Sequence, residues 1–105
     1  MSYTVRYSHA AMRDMEDLWD GVSEASKSFE IADRYVQEFT DEIAAKKDFP
    51  QGGIPLFYRG LFTGFYSVNF KAYKAFYRIN GQYIEVARIL LMKRDYMQAL
   101  FGDAD

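Results

Sequence analysis

The feature that most constrains this chain is an Asn80-Gly81 dipeptide set between two runs rich in aromatic and β-branched residues, inside the stretch from Tyr66 to Asp95. Asn-Gly readily supplies the two φ > 0 positions of a tight turn, so the dipeptide predicts a β-hairpin. With that turn, Ile79 faces Gln82, Tyr77 faces Ile84, Ala75 faces Val86 and Tyr73 faces Arg88. Side chains alternate along a strand, so these residues share one face and should pack on the rest of the fold. The other face carries Lys74, Phe76, Arg78, Tyr83, Glu85, Ala87 and Ile89. It mixes cations with aromatics and is expected to look outward. The stretch closes on Lys93-Arg94-Asp95.

Charge follows the same division. Residues 1–58 hold six Lys/Arg against eleven Asp/Glu, whereas residues 59–94 hold seven Lys/Arg against Glu85 alone. The net charge of −2 therefore conceals an acidic first half and a basic second half, which predicts an acidic helical face and a basic sheet face. With 105 residues, half of them apolar, the chain is one domain with one core. It contains no cysteine, which excludes disulfides and thiolate metal sites, and no cofactor or metal is expected. No signal-peptide pattern or membrane-length apolar run is present, so a cytoplasmic location is expected by elimination.

The first half reads as a strand and two helices. Tyr3, Val5 and Tyr7 alternate with polar residues, and Ser8 can cap the helix that follows. Ala11, Met12, Met15, Leu18, Trp19 and Val22 make one apolar stripe, predicting a helix of about 15 residues with Gly21 near its end. A polar link from Ser23 to Lys27 leads to a second helix starting near Ser28. Its stripe is Ala32, Tyr35, Val36, Phe39 and Ile43, with Glu30 in the first turn and Lys46-Lys47 beyond the last. The two helices form an antiparallel pair whose stripes need a sheet as the opposite wall. Residues 49–55 read as a loop, and strands follow at roughly 62–70, 73–79 and 82–91. A short helix over about Arg94 to Phe101 completes an α+β domain: strand, helix, helix, three-strand antiparallel meander, short C-terminal helix.

Tyr7-Ser8-His9-Ala10-Ala11-Met12-Arg13-Asp14-Met15, Ala32-Asp33-Arg34-Tyr35, Pro50-Gln51-Gly52-Gly53, Phe76-Tyr77-Arg78-Ile79, Val86-Ala87-Arg88-Ile89-Leu90 and Arg94-Asp95 occur in this order. Together they resemble the RelE/ParE family of bacterial toxins from type II toxin–antitoxin systems, over nearly the whole chain. The resemblance implies a growth inhibitor partnered by a cognate antitoxin, with which it forms an oligomer. Members similar to RelE cut messenger RNA on the ribosome, and those similar to ParE poison DNA gyrase. It also allows an inactive member that serves only in antitoxin binding and regulation.

A metal-independent RNase must position the 2′-hydroxyl, move protons and neutralise charge on the phosphate. The resemblance to RelE would give that work to Lys74, Arg94 and Tyr96. However, Ser67-Val68-Asn69 stands where RelE has a Lys-x-Lys pair, and Leu91 stands where other family nucleases place a histidine. His9, the single histidine, is expected to be a surface residue beside a helix cap. The remaining cations bind phosphates better than they transfer protons, so the sequence favours target binding through Lys74, Phe76, Arg78, Lys93 and Arg94. Gyrase is the favoured target and the ribosome the alternative. Nine aromatics lie between Phe57 and Tyr77, and some must face outward if only one sheet face is covered. Outward aromatics could stack bases, pair across strands, be covered by the last helix or meet the antitoxin, and Phe57, Tyr58 and Phe62, with Trp19 on the first helix, are the expected antitoxin contacts. Trp19 has the alternative of an ordinary core position, and Arg88 that of pairing with a carboxylate inside the fold.

Overall fold

The computed structural model describes residues 2–92 and 95–102, with Tyr96 described by its backbone only. β1 (Thr4–Tyr7) leads into α1 (His9–Ser26) and α2 (Phe29–Ala44). Two short 3-10 turns follow, then β2 (Ile54–Tyr58), β3 (Leu61–Phe70), β4 (Tyr73–Asn80), β5 (Tyr83–Leu91) and α3 (Tyr96–Phe101). The strands form one sheet in the order β1-β5-β4-β3-β2, with β1 parallel to β5 and the other neighbours antiparallel. The architecture is the α+β arrangement expected, with one strand added.

Local chemistry sets the helix ends. The Ser8 hydroxyl accepts from the Ala11 N–H at 3.0 Å, and Ser28 does the same for Ile31 at 3.1 Å. α1 passes through Gly21 and stops four residues later than the expected link allowed. A helical glycine costs about 1 kcal/mol relative to alanine, but the apolar stripe continues past it to Val22, which packs on the core. The chain then turns within two residues, Lys27 taking a left-handed φ of 60°.

α1 and α2 cover one face of the sheet. Leu18, Phe39, Ile43, Tyr77, Ile84 and Val86 are fully buried between the layers. Phe39 stacks on Phe70 at 5.0 Å, and Tyr35 meets the same ring edge-on at 5.2 Å.

The added strand lies inside the expected loop. β2 runs Ile54-Pro55-Leu56-Phe57-Tyr58, pairs with β3 and forms the outer edge of the sheet. Proline lacks an N–H, which suits it to an edge, and a register irregularity follows at Pro55/Phe57. Arg59 and Gly60, with φ of 53° and 81°, make the two-residue turn into β3. The meander therefore has four strands.

The β4–β5 register also departs from expectation. Asn80 is the last residue of β4 and pairs with Tyr83, so Gly81 and Gln82 form the turn. Tyr77 then faces Val86 and Ile79 faces Ile84, on the faces predicted. Between these pairs and the next, the register shifts: Phe76 faces Arg88 and Ala75 faces Ile89, leaving Ala87 as the extra residue. This bulge reverses the alternation along the rest of β5. Ile89, expected outside, is buried in the core, and Arg88, expected opposite Tyr73, joins the face of Phe76.

Candidate functional site

The sheet face turned away from α1 and α2 carries Arg6, Lys74, Phe76, Arg78, Glu85 and Arg88. Among the described strand residues Glu85 is the only carboxylate. Apart from Asp48 and Asp95, the other described acids lie on the two long helices, as the division of charge along the chain predicts.

One end of this face is an ion network across three strands. Arg6, Glu85 and Arg78 are neighbours on β1, β5 and β4. Arg6 donates to Glu85 Oε2 through Nε at 3.0 Å and also through Nη2. Arg78 Nε donates to Oε1 at 3.2 Å, and Asn80 adds a longer contact at 3.4 Å. These bonds, that from Arg6 foremost, hold the Glu85 carboxyl below the usual carboxylate range.

At the other end α3 lies on the sheet. Phe101 meets Phe65 edge-on at 5.8 Å, and Arg88 Nη1 donates to the Ala99 carbonyl at 3.4 Å. Arg88 also forms a two-pronged pair with Asp14 of α1, at 2.7 and 3.0 Å, which raises its pKa further above the ordinary arginine value. Asp14 Oδ2 accepts from the Ile89 N–H at 2.9 Å as well. The physical reason is that β1 pairs with β5 only as far as Val86. Beyond it the β5 edge is completed from α1 and its cap: the Ser8 hydroxyl donates to the Ala87 carbonyl, and Asp14 takes the Ile89 N–H. Arg88 is thus a structural pin joining α1, β5 and α3.

The structure divides the expected target-contacting residues. Lys74 and Arg78 do lie on the outer face, Lys74 half-buried between Asn69 and Leu90, and Arg78 exposed. Phe76 shares that face but is 1 % exposed, so it packs inside the protein and offers no contact surface. Lys93, Arg94 and the Tyr96 side chain lie outside the described residues. His9 is exposed at the start of α1, as expected of a surface residue. Arg6 was not anticipated, because its place beside Glu85 depends on the pairing of β1 with β5 across 79 residues of chain.

The expected antitoxin contacts occupy two apolar regions. Trp19 is half-buried at the margin of α1, stacked on Phe29 at 5.4 Å, with its indole N–H donating to Asp33 at 2.8 Å. It lines a shallow cleft of about 430 Å³ with Tyr7, Met12, Met15, Glu16 and Val36. Phe57, Tyr58 and Phe62 are exposed on the β2–β3 hairpin, beside Leu61 at 73 %. On that hairpin an aromatic ladder runs from Phe57 through Phe62 and Tyr66 to the buried Tyr77. Tyr58 also borders a second cleft of about 430 Å³, shared with Thr63, Met97, Gln98 and Phe101. Among the described residues no group of three or more His, Cys, Asp or Glu side chains could hold a metal ion, and no helix is long and apolar enough to cross a membrane.

An antiparallel helix pair on a sheet of this order, backed by a short helix on the opposite face, is the fold of RelE/ParE toxins. It is shared by a chain of the chromosomal ParDE toxin–antitoxin system from P. aeruginosa, at a TM-score of 0.72 and 16% identity, over 88% of this chain and 98% of that one. It is also shared by a chain of the RelBE2 toxin–antitoxin complex from Mycobacterium tuberculosis, at a TM-score of 0.57 and 23% identity, over 87% of this chain and 99% of that one. No curated protein is significantly similar in sequence. The family model of the ParE toxin of the type II toxin–antitoxin system parDE matches residues 5–96, and the chain belongs to that family.

Proposed function

We propose that the protein arrests growth by binding DNA gyrase, as the resemblance to ParE implies, and that it does not cut messenger RNA. The observation that carries this reading is what β3 places on the outer face. Where RelE has its Lys-x-Lys pair, Ser67 is buried with its hydroxyl donating to the Ile54 carbonyl at 3.4 Å, and Asn69 is exposed but carries neither a charge nor a titratable proton. Exposed cations remain, and they suit binding.

The same proposal includes a cognate antitoxin, supported by the two toxin–antitoxin complexes whose chains share the fold. Its footprint covers the Trp19 cleft and the β2–β3 hairpin, where exposed apolar side chains would otherwise face water.

Induced expression without an antitoxin, with pulse labelling of DNA and protein synthesis, tests the reading. DNA synthesis should fall first. Translation failing first, with cleaved mRNA, would favour the nuclease, and undisturbed growth would leave a member that acts only in antitoxin binding and regulation.

A further inference from the structure

The Arg6–Glu85–Arg78 row has no part in core packing or in holding α3. A surface ion pair ordinarily contributes little, because two long side chains lose freedom for a screened attraction. This row differs in its arrangement. Glu85 is the recessed member, with its side chain 20% exposed, while the Arg6 and Arg78 side chains remain 48% and 59% exposed. The guanidinium of Arg6 also lies over the Tyr83 ring at 3.8 Å. Two otherwise flexible arginines are thereby held at fixed positions on either side of one carboxylate.

Together they border a cleft of about 200 Å³ with Tyr7, Ser8, Val86 and Ala87. A guanidinium has five N–H donors. The bonds to Glu85 use Nε and Nη2 on Arg6 and Nε on Arg78, so each arginine retains donors that Glu85 does not take. Arg6 and Arg78 against the single Glu85 leave one net positive charge at the cleft, and Lys74 adds another on the same face, whereas the charge of Arg88 is matched by Asp14.

The row then changes chemistry. The next neighbour of Arg78, on β3, is Phe65, a half-buried ring edge-on to the exposed Phe101. From Arg6 to Phe65 the row crosses three strand spacings, roughly 14 Å. Cations in front of an aromatic at that reach suit a negatively charged backbone whose bases can stack.

We propose that the Arg6–Glu85–Arg78 row binds the phosphodiester backbone of single-stranded nucleic acid, with Phe65 and Phe101 as the stacking surface and Glu85 as the residue that positions both arginines. The inference goes beyond gyrase binding and does not depend on it, since it concerns direct contact between this chain and nucleic acid.

The test is fluorescence anisotropy of a labelled 12-mer of dT against the purified full chain over a salt series, with inorganic phosphate as competitor. The oligonucleotide should bind, more weakly as salt rises. Arg6→Ala/Arg78→Ala should weaken binding at least tenfold and flatten the salt dependence, and Arg6→Lys/Arg78→Lys should recover only part of the loss. Glu85→Gln separates positioning from bulk charge. Removing a negative charge should tighten binding if charge alone governs, whereas loss of positioning weakens it about threefold or more while circular dichroism stays unchanged. No oligonucleotide binding, or unchanged affinity in both arginine pairs, overturns the proposal. So does inorganic phosphate binding as tightly as the oligonucleotide, which would make this a site for free anions. Tighter binding by Glu85→Gln overturns the role given to Glu85.

Discussion

Replacing Asp14 by alanine should be among the most damaging single changes outside the apolar core. Its carboxylate accepts two bonds from Arg88, at 2.7 and 3.0 Å, and one from the Ile89 N–H at 2.9 Å, and the whole group is largely buried. Hydrogen bonds to charged groups contribute about 1.5–3 kcal/mol, and a buried N–H left without a partner costs about 1–3 kcal/mol. Breaking one partner from a buried ion pair costs about 3–5 kcal/mol. Arg88 keeps some access to water and its bond to Ala99, so the lower end applies, about 3 kcal/mol in total. For a urea slope near 1.5 kcal/mol/M the midpoint should fall by about 2 M. Asp14→Asn retains an acceptor for the Ile89 N–H and should lose roughly half as much. Arg88→Met combined with Asp14→Ala should be non-additive by at least about 1 kcal/mol, since both remove the same pair. A loss below about 0.5 kcal/mol for Asp14→Ala, or strict additivity, would refute the claim that this network closes the β5 edge.

Three further outcomes follow from other parts of the molecule. Gly53→Ala should destabilise by about 1–3 kcal/mol in a thermal melt, because the new methyl would lie 2.3 Å from the Tyr77 hydroxyl and 3.0 Å from the Ser67 carbonyl oxygen. Stability should fall as pH rises from about 10 to about 12: burial holds the folded Tyr7 and Tyr77 hydroxyls near 12, so the unfolded chain loses these protons first and their contribution, complete below pH 10, disappears. The loss of unfolding free energy between pH 9 and pH 11.5, measured by urea titration, should be smaller in Tyr77→Phe by on the order of 2 kcal/mol. Changing Lys74, Arg78 and Arg94 together to alanine should abolish growth arrest while circular dichroism and antitoxin binding are kept; loss of fold would mark them as structural.

Much of the helical layer was legible because its determinants are local. Ser8 and Ser28 cap as their positions suggest, and the two apolar stripes face the sheet. β2 escaped notice because Pro50, Gly52, Gly53 and Pro55 resemble a loop, although Arg59-Gly60 marks a hairpin turn once a strand is allowed on each side. The Asn80-Gly81 signal located the hairpin correctly but set its register two residues away. The two-residue turn and the Ala87 bulge satisfy the pairing of β5 with β1 and α1, which no short window contains. Phe76 has the alternation of an outward residue, yet it is buried, because alternation along one strand does not show what covers the face it points to. The basic character of the outer sheet face was readable, but its pairings were not. Arg6 joins Glu85, and Asp14 joins Arg88, through pairings 79 and 74 residues apart in the chain.

The central claim is that this ParE-family chain traps its target without cutting RNA. Purified protein mixed with gyrase, ATP and supercoiled plasmid, then quenched with detergent and protease, tests it most directly. Linear plasmid should accumulate, and mRNA on programmed ribosomes treated in parallel should remain intact. Untouched plasmid together with mRNA cleaved at the ribosomal A site would contradict the account.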